Sequence, residues 1–152
     1  MPSFLFLDFD GVLSPGNTGT LRYAKELAFL LAPYPEVAVV LTTNWRSSES
    51  LQGLRDWLDP ALARRVVDAA PQLPEGDAPG GRQREIEAWL AGRQARAWLA
   101  LDDTAVLYQA ECPWLFLTES KNALDAPTRA RLAQRLQVTF AGGQGTPLAP
   151  GR

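Results

Sequence analysis

Residues 4–13 read FLFLDFDGVL, an apolar run that ends in two carboxylates and a glycine. The run Phe4–Leu7 predicts a buried β-strand, because a strand covered on both faces needs continuous apolar residues. Asp8 and Asp10 are expected where this strand leaves the sheet, since an unpaired buried charge is costly. In an open α/β sheet, ligands bind at the carboxyl ends of the strands. Two acids at that edge favour a hard cation such as Mg²⁺, which takes oxygen ligands.

The chain has 152 residues, of which 46% are hydrophobic and 21% are charged. This length and composition predict one folded domain over residues 1–140, followed by a mobile Gly/Pro-rich tail at residues 141–152. The formal net charge of −2 gives no overall basic footprint, so duplex nucleic acid is not an expected partner. No apolar run reaches the roughly 20 residues that cross a bilayer, so no membrane partner is expected and the expected location is cytoplasmic.

The content of cysteine and histidine narrows the possible chemistry. Cys112 is the only cysteine, and histidine is absent. An intrachain disulfide, a cysteine-cluster metal site and catalysis by histidine are therefore excluded. Acid–base chemistry would have to use carboxylates.

Apolar runs alternate with helix-like segments along the chain. The predicted strands are 4–7, 37–41, 65–67, 97–101 and 114–117, and the predicted helices are 21–32, 47–58, 82–90 and 126–136. This alternation predicts a three-layer α/β/α fold with a doubly wound, mostly parallel sheet. Thr43 and Asp102 follow the second and fourth strands, so parallel pairing should bring them to the same edge as Asp8. Asp125, which precedes Ala126 and Pro127, is the expected N-cap of the last helix.

Three motifs at the predicted strand ends resemble those of a known superfamily. They are Asp8-Phe9-Asp10-Gly11-Val12-Leu13, Leu41-Thr42-Thr43-Asn44 and Leu101-Asp102-Asp103. In this order they resemble the haloacid dehalogenase (HAD) superfamily of phosphohydrolases. That family carries an Asp-x-Asp pair after the first strand, a threonine or serine after the second, a basic residue at a helix start and acids after the fourth. The resemblance covers residues 4 to about 136 and implies a HAD-like Rossmannoid core.

The resemblance implies a magnesium-dependent phosphatase. Asp8 would be the nucleophile that forms an aspartyl-phosphate, and Asp10 would be the general acid and base. The magnesium ion would be held by residues of two motifs: the Asp8 carboxylate, the Asp10 backbone carbonyl and Asp102, with Asp103 in support.

The second motif would bind the phosphoryl group. Thr43 would donate its hydroxyl and Asn44 its backbone N–H, while Gly11 would line the same site. Thr42 is the alternative hydroxyl. Thr43 is preferred because the Thr-Asn-Trp-Arg ending resembles the Ser/Thr-Ser-Trp-Arg ending of small family members. Trp45 would border the pocket.

The basic position departs from the family pattern, which usually supplies lysine. The two lysines, Lys25 and Lys121, lie in the first helix and after the fifth strand, where they do not fit. Arg82 occupies the expected place, and Arg84 is the alternative. The planar fork of arginine binds phosphate well but is not equivalent to a compact ammonium.

The spacing between motifs leaves no room for a cap domain. Residues 13–36 hold one short loop and one helix, and residues 82–97 hold one helix and a turn. The resemblance therefore implies a small capless phosphatase with an open site, rimmed by residues 14–19 and 71–81. Such a site accommodates a phosphorylated substrate as large as a protein side chain or a nucleic-acid end, as well as sugars and nucleotides.

Two other interpretations stay open at this point. A receiver-like signalling module would use an aspartate after the third strand and a lysine after the fifth, and Asp68 and Lys121 lie near those places. A HAD-fold protein with weakened catalysis could instead act as a binding module, which the missing lysine would explain.

Overall fold

A computed structural model describes residues 1–16 and 18–141. It contains one five-stranded parallel sheet in the order β3-β2-β1-β4-β5. The strands are β1 (Ser3–Leu7), β2 (Val37–Leu41), β3 (Val66–Ala69), β4 (Ala97–Asp102) and β5 (Leu115–Leu117). The predicted doubly wound α/β fold is confirmed. The predicted tail starts at Ala141, which ends the last helical turn, and residues 142–152 lie outside the described residues.

Helices cover both faces of the sheet. They are α1 (Ala24–Leu31), α2 (Leu51–Asp56), α3 (Pro60–Ala63), α4 (Gly81–Leu90) and α5 (Ala126–Leu136), the last continued by a π-helical turn at Gln137–Ala141. Apolar residues of α1, α2, α3 and α5 pack into one core cluster, whereas those of α4 belong to the other. These two helical layers on either side of the sheet make the three-layer fold.

The central strand β1 is apolar at successive positions because both of its faces are buried. Leu5 and Leu7 face the core of α1 and α5, whereas Phe4 and Phe6 face the core of α4. Because alternate side chains point to opposite faces, a strand in the middle of three layers needs apolar residues at every position.

The helix predicted over 47–58 is shorter in the structure, where α2 spans Leu51–Asp56. Residues Asn44–Ser47 form a short 3₁₀ turn, and α2 begins only after Ser50, whose hydroxyl accepts a hydrogen bond from the Gly53 N–H. Ser50 is the cap because it directly precedes the first helical turn, where its oxygen satisfies an otherwise unpaired N–H. The helix predicted over 21–32 is also shorter and begins at Ala24, because Leu21 adopts φ +46°.

The prediction for the last helix is confirmed. Asp125 is its N-cap, and its Oδ1 accepts hydrogen bonds from the N–H and the hydroxyl of Thr128 at 3.1 and 2.6 Å. Among the described residues, the segments between strands hold short helices, turns and loops, and none of them forms a cap domain over the sheet edge. No helix of this part of the chain is long and apolar enough to cross a membrane.

Candidate active site

The acids of the first and third motifs meet at the carboxyl edge of the sheet. Asp8 directly follows β1, and its N–H donates to the Leu101 carbonyl of the neighbouring β4 at 3.2 Å. This parallel pairing places Asp102 and Asp103 beside it. One carboxylate oxygen of each of the three acids lies within 4.8 Å of those of the other two.

This cluster concentrates negative charge in a poorly hydrated place. Asp8 is 8% exposed and Asp102 is fully buried. Burial raises the pKa of Asp8 well above its usual range, and the charges of Asp102 and Asp103 raise it further, while Arg82 opposes them. A bound cation would relieve this repulsion. Three converging carboxylates are a donor set that fits Mg²⁺, which prefers charged oxygen ligands.

Arg82, at the start of α4, is the buried cation of the site. Its Nη1 donates to Asp102 Oδ2 at 2.9 Å and lies 3.9 Å from Asp8 Oδ1, and its Nη2 donates to Asn44 Oδ1 at 3.2 Å. Burial alone would lower the pKa of Arg82, but the charges of Asp102 and Asp8 outweigh it and raise the pKa. Arg82 therefore joins the ends of β1, β2 and β4.

Arg84, the alternative basic residue, lies elsewhere. Its side chain is exposed, and its guanidinium donates to the carbonyls of Pro79 and Glu75 in the loop that precedes α4. The helix phase explains the difference, because residues two apart on a helix point in different directions.

Asp102 is held by four hydrogen bonds. Its Oδ1 accepts from the N–H groups of Asp103 and Thr104 at 2.8 and 3.1 Å, and its Oδ2 accepts from Arg82 and from the Tyr108 hydroxyl at 3.0 Å. Burial and the charge of Asp102 raise the pKa of Tyr108 well above its usual range, so the hydroxyl keeps the proton that it donates. Sequence reasoning missed Tyr108, because a tyrosine in an irregular segment gives no signal.

Asp103 has a less occupied carboxylate. Its Oδ1 accepts a hydrogen bond from the Thr104 hydroxyl at 2.9 Å. Its Oδ2 faces the backbone of Gly11, where an added Cβ would lie 2.0 Å away. Gly11 also has φ +80°, a conformation that disfavours other residues. The glycine of the first motif thus lets the two acidic loops approach each other.

Asp10 lies at the more open side of the cluster and is half-buried. Its Oδ2 accepts a hydrogen bond from the Trp45 indole N–H at 3.1 Å, and its Oδ1 accepts one from the Ser14 hydroxyl at 3.4 Å. The Trp45 ring packs edge-on against Phe9, with centroids 5.2 Å apart. Sequence reasoning expected Trp45 at the pocket border but did not find its hydrogen bond or the role of Ser14.

Both threonines of the second motif are buried. The Thr43 hydroxyl accepts a hydrogen bond from the Trp45 N–H at 3.2 Å and caps the short turn that carries Asn44. The Thr42 hydroxyl oxygen is buried and has no hydrogen-bond partner among the described residues. Asn44, through its contact with Arg82, ties this segment to the acid cluster.

A second buried ion pair, between Arg46 and Glu85, lies next to the Arg82 guanidinium. Arg46 Nη2 lies 2.9 Å from Glu85 Oε1, and the same oxygen lies 3.5 Å from Arg82 Nε. Arg46 also donates to the carbonyls of Thr43 and Ala70 at 2.7 Å each, which joins the ends of β2 and β3. Sequence reasoning missed Glu85, because an acid within a helix usually signals a solvated face.

The residues of the receiver interpretation do not join the cluster. Asp68 lies within β3, where its Oδ2 accepts a hydrogen bond from the Trp89 indole N–H at 2.8 Å. β2 separates this strand from β1. Lys121 is exposed after β5.

The fold and this edge define a class of protein. A parallel sheet with an Asp-x-Asp pair after its central strand, a buried cation and two acids after the neighbouring strand is the core of a HAD superfamily hydrolase. The family model described as the HAD domain in Swiss Army Knife RNA repair proteins matches residues 4–128. The chain belongs to this family, which confirms the resemblance read from its motifs. No curated protein and no solved structure matches the chain.

Proposed function

We propose that this chain is a magnesium-dependent phosphomonoesterase that acts through an aspartyl-phosphate on Asp8. The observation that carries the proposal is the convergence of Asp8, Asp102 and Asp103 beside the buried Arg82. Family membership supports a phosphatase-type hydrolase in general.

Asp8 has one oxygen committed to the fold and one available for chemistry. Oδ1 accepts the Phe9 N–H at 2.9 Å, whereas Oδ2 accepts no hydrogen bond from the residues that the structure describes. In the proposed first step, Oδ2 attacks phosphorus and forms a new O–P bond, while the bond from phosphorus to the ester oxygen breaks. Arg82, Thr43 and Asn44 would bind the phosphoryl oxygens.

Asp10 would move the proton in both steps. It would first protonate the departing ester oxygen, and then accept a proton from the water whose oxygen attacks phosphorus. The bond between Asp8 and phosphorus then breaks, which releases inorganic phosphate and restores the carboxylate. The indole of Trp45 and the hydroxyl of Ser14 support this role because they hold both oxygens of Asp10.

The magnesium ion would be held at this edge of the sheet by the carboxylates of Asp8, Asp102 and Asp103 and by the Asp10 backbone carbonyl. Bound there, it would neutralise charge that otherwise opposes the attack of a carboxylate on a phosphate. The hydrogen bonds that fill both oxygens of Asp102 favour Asp103 as the more available carboxylate.

For the substrate, we infer a terminal phosphate on a single nucleic-acid strand. The family description names RNA repair proteins. A site without a cap among the described residues suits a phosphate on a large molecule. The small negative net charge makes extended contact with a duplex less favourable than contact with a strand end.

The test is phosphate release with Mg²⁺ from an aryl phosphate and from RNA and DNA oligonucleotides phosphorylated at either end. Asp8→Asn and Asp10→Asn should abolish release, and the exposed Asp56→Asn should not. Release that survives Asp8→Asn would refute the mechanism. Turnover of the aryl phosphate without turnover of any oligonucleotide end would refute the substrate and leave the mechanism standing.

A further inference from the structure

We propose that the outer face of α1 and the start of α5 form a binding surface for the single strand that carries the phosphate. This inference rests on the proposed function. The surface, called the α1–α5 groove below, comprises Arg22, Tyr23, Lys25, Glu26, Phe29, Leu30 and Arg129. It lies apart from the acid cluster and has no part in the proposed chemical steps.

The groove is attached directly to the loop that carries Asp10. The Tyr23 N–H, just before α1, donates to the Leu13 carbonyl at 2.9 Å. The Leu124 N–H, just before α5, donates to the Val12 carbonyl at 3.0 Å. Val12 and Leu13 are two and three residues from Asp10, a path of at most about 11 Å at 3.8 Å per residue. A strand whose end lies in the active site would therefore reach the groove within its next few nucleotides.

Two guanidinium groups flank one aromatic ring at the near end of the groove. The guanidinium carbons of Arg22 and Arg129 lie 5.2 and 5.5 Å from the Tyr23 ring centroid. Arg129 is fixed further by a 2.8 Å hydrogen bond from its Nη1 to the Leu124 carbonyl. Arginine forks held by an aromatic ring are preorganised to bind phosphate oxygens.

The far end of the groove offers an aromatic platform. A cavity of about 470 Å³ between α1 and α5 is lined by Lys25, Glu26, Phe29, Leu30 and Arg129. Phe29 is 79% exposed, which is unusual for a phenylalanine. Exposed aromatic rings between cations bind single strands, because bases stack on the rings while the cations contact phosphates.

The spacing along α1 suits an extended strand. Lys25 and Phe29 are four residues apart on α1, so they lie along one side of the helix, and Arg22 lies in the turn just before it. From Lys25 to Phe29 the helix rises about 6 Å at 1.5 Å per residue. Glu26 is the acid among the lining residues, and its buried Oε1 has no hydrogen-bond partner among the described residues.

The test is binding of a labelled, unphosphorylated single-stranded RNA of about ten nucleotides to the full chain, followed by fluorescence anisotropy. Phe29→Ala should weaken binding about tenfold, and Phe29→Tyr should restore most of the affinity. Arg22→Ala should lower the slope of log K against log salt by about 0.7, the value for one phosphate contact on a single strand. Arg64→Ala removes the same charge from the exposed end of α3 and should leave both quantities unchanged.

Two results would overturn the proposal. One is an unchanged affinity in both Phe29→Ala and Arg22→Ala, with folding verified by thermal unfolding. The other is sedimentation of the wild type as a dimer that Phe29→Ala converts to a monomer, because the face would then bind a second copy. The probe carries no phosphate end, so failure of the phosphatase mechanism would appear only in the turnover assay and would leave this binding measurement intact.

Discussion

The two flanks of the acid cluster are held in different ways. On the flank of α4, called the buried flank, Arg82 and Asp102 lie within a network in which both Asp102 oxygens are fully hydrogen-bonded. On the other flank, called the open flank, Asp10 is half-buried, and each of its carboxylate oxygens accepts one hydrogen bond, from Ser14 or from Trp45. A group that stabilises charge benefits from a fixed, dry environment, whereas a group that exchanges protons must be reached by substrate and water. The difference matches the roles proposed for the two flanks.

The largest expected effect is at the residue between the two flanks. Asp8→Asn keeps the shape of the side chain but removes the proposed nucleophile, and we expect turnover to fall by at least about 10⁴-fold. The measurement is steady-state phosphate release with Mg²⁺. Asp56→Asn, an exposed acid on α2, is the matched control. Retained turnover would mean that hydrolysis does not proceed through an aspartyl-phosphate on Asp8.

The same variant should be more stable than the wild type without metal. The pKa of Asp8 is raised by burial and by its acidic neighbours, so the folded state binds its proton more tightly than the unfolded state. The stability contributed by protonated Asp8 is present below about pH 4 and is lost as pH rises towards the raised pKa. The difference in unfolding free energy between Asp8→Asn and the wild type should therefore grow with pH in urea melts with chelator. A constant difference would contradict this explanation.

Removing the cation of the buried flank should cost stability as well as activity. Arg82→Ala leaves Asp102 without its ion pair, and breaking such a buried pair costs about 3–5 kcal/mol. We expect this loss in urea unfolding at neutral pH without metal. Arg82→Lys should retain part of the stability because the charge remains, although the lysine cannot reproduce the fork that contacts both Asp102 and Asn44. Arg64→Ala should change stability by less than about 0.5 kcal/mol.

Mg²⁺ should stabilise the folded chain through the three acids that both flanks surround. At a concentration of about 100 times Kd, a ligand that binds only the folded state adds about 2.7 kcal/mol. We expect thermal unfolding to shift upwards with Mg²⁺ and to return with chelator. Asp103→Asn should reduce the shift and Asp56→Asn should not. If the shift persists in Asp103→Asn but disappears in Asp102→Asn, Asp102 is the carboxylate that holds the ion.

The sequence allowed the sheet and the acid cluster to be predicted because both depend on short-range patterns. Continuous apolar runs identify central strands, and polar residues that follow such runs must lie at a strand end. Parallel pairing then brings Asp8 together with Asp102 and Asp103. Arg82 was expected in the site for its position at a helix start, and the structure joins it to the cluster through Asp102.

The supporting residues could not be predicted in the same way. Tyr108, Glu85 and Ser14 act through contacts between segments that are distant in sequence or irregular in structure. Their residue types fit many other places, since a tyrosine is often core and a glutamate in a helix is often solvated. The break between the turn at residues 44–47 and α2 was missed for a related reason, because several serines compete for one cap.

The smallest expected effect tests the open flank. Trp45→Phe keeps an aromatic ring against Phe9 but removes the indole N–H that donates to Asp10. A positioning hydrogen bond of this kind supports the orientation of the proton-transfer group rather than the charge of the site. We expect kcat to fall about tenfold, or about 1.4 kcal/mol, with little change in KM for an aryl phosphate.

Trp57→Phe is the matched control for that experiment. Its indole packs edge-on against Trp45, with ring centroids 5.5 Å apart, and its side chain is mostly exposed. A similar drop in kcat for both variants would mean that ring packing, not the hydrogen bond, supports the open flank. A drop confined to Trp45→Phe, without a comparable loss of thermal stability, would show that the indole N–H of Trp45, and not the packing of its ring, orients Asp10. The buried flank has several donors, and no one hydrogen bond there should carry the orientation of Asp102 alone.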